Sequence, residues 1–431
     1  MRHAPIAKAL PTLNRERLRA LLPPGSLAVV NANDIPPTNS DGTTALVPNS
    51  DLFYLTSVEQ EQTILLLAPG ACDEKLREIL FVRETSELLA QWEGHKLTKD
   101  EARAVSDIAR VEWLEQFPQI FRQLMSEMEN VWLNSNDHAR ATVEVESRDA
   151  RFVRETQRQF PLHTYRRLAP LLRTLRLVKS EHEIALLERA CAITRDSYER
   201  VARFVRPGVN ECEIEAEFVH EYTRQRGKFS YQPIIASGKN ACVLHYLAND
   251  QPCKNGDLLL LDVGASYANY NADVTRTLPV NGRFSRRQRQ VYEAVLRVLR
   301  QCTAALTPGK KPRDWQKEAE AFMEKELLAL GLLKPRDIKK QDPDKPALKK
   351  WFMHGVGHPL GLDVHDVMAP GVPMAPGWVM TVEPGIYLPD EGFAVRLEDD
   401  ILITDRGQVN LTRDIPIEAS DIEALMKKRR R

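Results

Sequence analysis

The chain lacks the features that mark several large protein classes. Its longest purely apolar runs, such as 64–68 and 258–261, fall far short of the ~20 residues a membrane helix needs. The first residues carry Arg2, His3 and Lys8 but no continuous apolar segment, so no secretory signal is read there. Cysteine is sparse. Six occur in 431 residues, at 72, 191, 212, 242, 253 and 302, with no C-x-x-C pair. That excludes a zinc knuckle or a disulfide scaffold and predicts reduced, mostly buried thiols in a cytoplasmic protein. Neither sign of charge is in excess, since Lys+Arg and Asp+Glu both total 60. No global field therefore draws the chain to nucleic acid or to an anionic membrane. Neither G-x-G-x-x-G nor a P-loop occurs, which leaves nucleotide binding without support. With 43% hydrophobic and 28% charged residues, the composition is that of a globular chain of two or three domains.

Organisation is legible along the chain. Apolar runs at 27–30 and 63–67, set among helical patterns, predict an α/β N-terminal domain. Residues 157–180 hold no acid but six Lys/Arg, with Pro161 and Pro170 between them. This reads as a solvated linker surface with a boundary near residue 172, giving domains 1–172 and 173–431. Three helix starts follow, each with a capping-box pattern: Ser180 with Glu183, Asn210 with Glu213, and Ser285 with Gln288. Strand-like runs lie at 232–236, 258–263, 274–278, 379–382 and 394–403. Residues 334–350, with three prolines and six lysines, read as an exposed insertion. The five cations 427–431 read as a frayed tail.

The chemistry concentrates in the second half. An apolar strand runs straight into Asp262, and Asp273 follows eleven residues later across a polar, aromatic tip. Strands joined in this way bring both carboxylates onto one face, where they repel unless a cation or proton lies between them. His354 and His358 sit in a Gly- and Pro-rich stretch that reads as a loop, not as a zincin helix. Glu383 ends another apolar strand just before Pro384-Gly385, and Glu398 shares a strand-like run with Arg396, expected on the same face. Each residue alone has a bland reading, as a turn former, a core imidazole or a simple ion pair. Together, four carboxylates and one imidazole form a donor set of hard oxygens without thiolate, which suits Mn²⁺, Fe²⁺ or Co²⁺ better than structural zinc. Two ions balance the carboxylate charge better than one, and such a pair supports hydrolysis.

The order Asp262, Asp273, His358, Glu383, Glu398 resembles the pita-bread metallopeptidases, which include methionine aminopeptidase, prolidase and aminopeptidase P. The likeness extends through 234–238, 244–246, 273–277, 354–366, 382–385 and 395–400. A long N-terminal domain, 244–249 and 361–366, and Asn49 to Thr56 are most similar to aminopeptidase P. The resemblance implies an α/β (α+β) pita-bread catalytic domain behind a smaller α/β domain. It also implies an exopeptidase that cleaves the N-terminal Xaa-Pro bond through a hydroxide bridging two divalent ions, Mn²⁺ above Co²⁺, Fe²⁺ or Zn²⁺. The alternatives are a prolidase restricted to Xaa-Pro dipeptides and an inactive binding module on the same fold. In the implied site Asp273 and Glu398 bridge the metals, Asp262 completes one position, and His358 and Glu383 complete the other. Glu383 serves as general base, and His365 and His245 donate to the carbonyl or oxyanion. His354 lines the proline pocket, while Arg396 and Tyr231 orient carboxylates and substrate. Trp92 reaches a neighbouring subunit's site, or else packs in a core. The expected partners are peptides with proline second, not nucleic acid or membrane, and further copies of the chain in a dimer or tetramer.

Overall fold

A computed structural model describes residues 3–427 apart from 139, 142–143, 343–344 and 370. The chain divides into two compact units, residues 3–176 and the residues from 177 onward.

In the first unit the apolar runs become strands. Ser26–Asn31 (β1) and Ile64–Leu67 (β2) are buried at every position, as the centre of a sheet covered on both faces requires. Glu78–Val82 (β3), Val111–Trp113 (β4), Asn130–Leu133 (β5) and Thr164–Arg167 (β6) extend them into a six-stranded sheet of order β4-β3-β2-β1-β5-β6. β2 runs antiparallel to β1 and β3, and the other pairs are parallel. Phe117 closes one face, meeting Phe81 edge-on at 5.2 Å and stacking on Phe121 at 5.1 Å. Residues 157–180 are solvated in their first half, where Arg158, Arg166 and Arg167 are exposed, but they are structured and not a linker. They supply β6 and the helix Ala169–Leu177, and Arg176 is buried against Asp51 at 2.8 Å. The charge run misleads because this partner lies 125 positions away in sequence.

In the second unit all three capping boxes form, opening the helices Glu181–Phe204, Glu211–Arg224 and Arg286–Ala305. Two interrupted hairpins follow. The first contains Leu258–Asp262 (β9), Ala265–Tyr267 (β10), Tyr270–Asn271 (β11) and Thr275–Pro279 (β12), preceded by Lys228–Phe229 (β7) and Ile234–Ser237 (β8). One register runs through it, pairing Asp262 with Thr275 below the interruption and Ser266 with Asn271 above it. β9 and β12 join β8 in one sheet, whereas β10 and β11 join β7 in another.

The second hairpin contains Val379–Val382 (β13), Gly385–Leu388 (β14), Phe393–Arg396 (β15) and Asp399–Thr404 (β16), with Gly407–Asn410 (β17) beside β16. It too keeps one register, Val382 opposite Asp399 and Gly385 opposite Arg396. The run expected as one strand over 394–403 is therefore two. Arg396 ends the first, and Glu398 lies in the break, not on the same strand face.

The stretch 334–350 is only partly an exposed insertion. Leu348 is buried, Ile338 packs on the core, and Lys349 pairs with Glu320 at 2.7 Å. Residues 428–431 of the basic tail lie outside the described residues. All six cysteines are free. Cys191, Cys253 and Cys302 are buried and Cys242 is half-buried, whereas Cys72 and Cys212 are exposed.

Candidate metal centre

The interruptions deliver the carboxylates. In the first hairpin Gly264 passes so close to the opposite strand that a Cβ there would lie 1.8 Å from the Ala272 carbonyl oxygen. The backbone groups that point away from the hairpins at the breaks find partners elsewhere. Ser230 donates N–H and Oγ–H to the Gly264 carbonyl at 3.0 and 2.8 Å, and the Asp273 N–H reaches Asp400 Oδ2 at 3.1 Å. In the second hairpin Pro384 has no N–H to give. The Glu383 N–H donates to the Val356 carbonyl at 2.8 Å and the Glu398 N–H to the Thr275 carbonyl at 3.0 Å. The continuous register sets Glu383 opposite Glu398 at the break.

His358 arrives from a loop, as its glycines predict. Its segment runs along β13, with the His358 N–H donating to Thr381 Oγ1 at 3.0 Å and the Thr381 N–H to the His358 carbonyl at 2.9 Å. Gly357 permits this approach, because a Cβ there would lie 2.0 Å from the Thr381 carbonyl oxygen. The His358 ring sits 3.0 Å from the Pro359 carbonyl through Nδ1. With the proton there, Nε2 faces Asp273 Oδ2 at 3.5 Å and Glu383 Oε1 at 3.7 Å.

The five predicted ligands thus come together. Donor atoms of Asp273, His358 and Glu398 all lie within 4.8 Å of one another. Asp262 shares the Tyr231 hydroxyl with Asp273, at 2.6 Å to each. The electrostatics ask for a cation. Burial, reinforced by Asp273, Glu383 and Asp262, pushes Glu398 well above the usual carboxylate range. Burial raises Glu383 to about 7, although His358 and Arg396 oppose it. It also raises Asp262 in spite of Arg396. Burial alone would lower His358, but its hydrogen bond to Asp273 and the charge of Glu383 prevail and lift it to about 9. Acids driven to hold protons around an imidazole that holds an extra one fit a divalent ion, and the oxygen-rich donor set fits it chemically.

Around the donors lies a network. Arg396 pairs with Asp262, not with Glu398, and donates to Thr275 Oγ1 at 3.2 Å and Tyr387 Oη at 2.8 Å. Tyr387 lies 2.8 Å from His354 Nε2, and His354 Nδ1 lies 2.7 Å from the Gly355 carbonyl. Burial and Arg396 push His354 down to about 3, so its ring is neutral. Thr275 donates to Glu398 Oε2 at 2.7 Å. Sequence reasoning missed Thr275, Thr381, Tyr387 and Asp400. Thr275 and Thr381 carry a signal, each a hydroxyl in a strand-like run that must find a partner once buried.

The donors floor a cavity of about 480 Å³, whose wall includes Ile234, Leu244, His245, Leu247, His354, Val364 and His365. The His365 ring sits 4.2 Å from that of His358. Trp92 belongs to the first unit and is not a core residue. It is 81% exposed, one turn from Leu88, on the helix Glu87–Glu93, which buries none of its residues.

This fold and donor set define a metal-dependent hydrolase. The chain belongs to metallopeptidase family M24, matched over residues 185–405, and residues 12–132 match the aminopeptidase P N-terminal domain. It is 34% identical to the Xaa-Pro aminopeptidase of Haemophilus influenzae, with 96% of each chain covered. Among solved structures it resembles a putative aminopeptidase P from Bacillus anthracis (TM-score 0.91, 32% identity, 98% and 99% coverage). It also resembles zinc-substituted aminopeptidase P of Escherichia coli in complex with product (TM-score 0.87, 33% identity, 99% and 100% coverage).

Proposed function

We propose that the protein is a metal-dependent Xaa-Pro aminopeptidase, which releases the first residue of peptides with proline second. The observation that carries this reading is the convergence of four carboxylates and His358 beneath an accessible cavity, in a chain that aligns almost throughout with Xaa-Pro aminopeptidases. In this reading Asp273 and Glu398 would serve both of two divalent ions, with Asp262 completing one position and His358 and Glu383 the other. Bound there, such ions would polarise the scissile carbonyl and lower the pKa of a shared water. Manganese suits the oxygen-rich donors.

The chain's own residues supply the rest. Glu383 stands at the cavity floor as the group that takes and returns a proton. His245 and His365, in the wall, donate to the oxygen on which negative charge develops. Neutral His354, held by Tyr387, lines the pocket for the proline ring. Arg396 and Tyr231 fix the carboxylate orientations. The exposed Trp92–Leu88 ridge supports an oligomer, a dimer or tetramer, in which Trp92 reaches a neighbouring site. Free cysteines without C-x-x-C spacing support a cytoplasmic setting. Among the described residues no helix is long and apolar enough to cross a membrane.

The test is a peptide series with chelator or with Mn²⁺. Xaa-Pro-Xaa should be cleaved, Xaa-Ala-Xaa spared, and activity lost with chelator and restored by Mn²⁺. Cleavage of Xaa-Pro dipeptides alone would make the protein a prolidase. No cleavage at all would leave a binding module. Trp92→Ala should weaken cleavage of longer peptides without loosening metal binding, and unchanged kinetics at every length would remove Trp92 from the site.

A further inference from the structure

Glu211 is fully buried, yet it lies outside the metal-ligand cluster and has no role in the chemistry above. It is the first residue of the helix Glu211–Arg224, where unpaired helical N–H groups favour an anion. Among the described residues no Lys or Arg is paired with it, and its partners are neutral donors. Oε1 accepts from the Ser237 N–H and Oγ–H, both at 2.7 Å, and more distantly from Asn240 Nδ2 at 3.5 Å. Oε2 accepts from the Tyr246 hydroxyl at 2.8 Å and from the Gln251 N–H at 3.0 Å. Ser237 ends β8, and Gln251 follows the loop 238–250. One oxygen therefore grips the entry to this loop and the other its exit. The backbone adds a further tie, from the Glu211 N–H to the Gln251 carbonyl at 3.0 Å.

The loop carries Leu244, His245 and Leu247 into the cavity wall. His245 is itself exposed, and its neighbour Tyr246 is one of the gripped residues. A buried charge with this many donors fixes their mutual geometry, because moving any one of them strands a charged acceptor. We infer that Glu211 is a positioning residue that holds the His245 loop against the cavity. This rests on the Xaa-Pro aminopeptidase reading, in which His245 faces the reacting carbonyl.

The experiment uses Glu211→Gln and Tyr246→Phe in the full chain, each with and without His245→Ala. The glutamine's NH₂ must face donors on one side, so one end of the loop is released. Glu211→Gln should lower kcat about 10–100-fold with KM changed less than about threefold. In the His245→Ala background the same change should cost less than about twofold. Tyr246→Phe removes one donor and keeps the carboxylate, so it should give a smaller loss of the same kind, and it carries the test if Glu211→Gln does not fold. Hydrogen exchange in the peptides spanning 238–251 should quicken about tenfold or more in the variants. A full rate loss persisting without His245, or unchanged exchange across the loop, would overturn the inference. If the wild-type chain cleaves no Xaa-Pro peptide, the functional reading fails by itself, and the exchange result still decides whether Glu211 anchors the loop.

Discussion

The two interrupted hairpins of the second unit reach the same result by different backbone chemistry. In the first, Gly264 lets two backbones approach closer than any side chain would allow. In the second, Pro384 withholds an N–H. Both keep their register through the break, and both put a pair of carboxylates there: Asp262 with Asp273, and Glu383 with Glu398. Neither break is self-sufficient. The outward N–H of Asp273 is taken by Asp400 of the second hairpin, and the outward N–H of Glu398 by Thr275 of the first. Each hairpin thus satisfies the backbone that the other leaves unpaired, and the carboxylates meet because the interruptions do. The repulsion among them is a cost of folding that a bound cation offsets.

If the two hairpins contribute equally to one centre, the residues proposed to bridge its ions should be equally indispensable. Asp273→Ala and Glu398→Ala should each lower metal-dependent peptidase activity by at least about 10³-fold at matched folding. Either variant keeping most of its activity would show that one hairpin carries the chemistry alone. The loop histidines should matter less than these strand-end groups. His365→Ala and His245→Ala should each lower kcat about 10²–10³-fold while KM moves little, because their proposed role is to act on charge that develops in the transition state. A change in KM alone would make them ground-state binding residues.

The comparison also shows what a sequence reader can and cannot reach. Asp262, Asp273, Glu383 and Glu398 are visible because each interrupts or ends an apolar run, where charge is out of place. His358 is visible through its glycines, which announce a loop pressed against something. The capping boxes are local and formed as expected. Distant partnerships were not legible. Thr275 and Glu398 are 123 positions apart, and Arg396 meets Asp262 across 134. A reader confined to neighbours pairs Arg396 with Glu398, and so takes two strands for one. Within the run 157–180 Arg176 is missed in the same way, because it looks solvated until its distant acid is brought to it.

The devices themselves separate the hairpins more sharply. Gly264→Ala places a methyl group within 1.8 Å of the Ala272 carbonyl oxygen and 2.7 Å of Ser230 Oγ. The carbonyl is backbone and cannot rotate away, so strands β9 and β12 must part. The expected loss is about 3 kcal/mol or more of stability, read as a lowered midpoint in chemical unfolding, with activity lost alongside. A variant as stable as wild type would mean that the first break does not depend on this close approach.

Pro384→Ala should do far less to the fold. Pro384 already accepts from the Leu397 N–H at 3.3 Å, and alanine keeps that carbonyl. What alanine adds is an N–H facing Leu397, the missing half of a ladder pair. What it removes is the restraint proline places on the unfolded chain, worth about 0.4–1 kcal/mol. The two effects oppose each other, so stability should stay within about 1 kcal/mol of wild type. Function should not be spared to the same degree. A completed ladder straightens the break that turns Glu383 towards Glu398, and a shift of about 1 Å in a positioned group is enough to cost about 10²-fold. The expected signature is an unchanged unfolding midpoint with kcat lowered about tenfold or more, measured on a Xaa-Pro-Xaa peptide with Mn²⁺. A loss of stability matching that of Gly264→Ala would erase the distinction between the hairpins. Full activity at full stability would show that the missing N–H is not what holds the second break open.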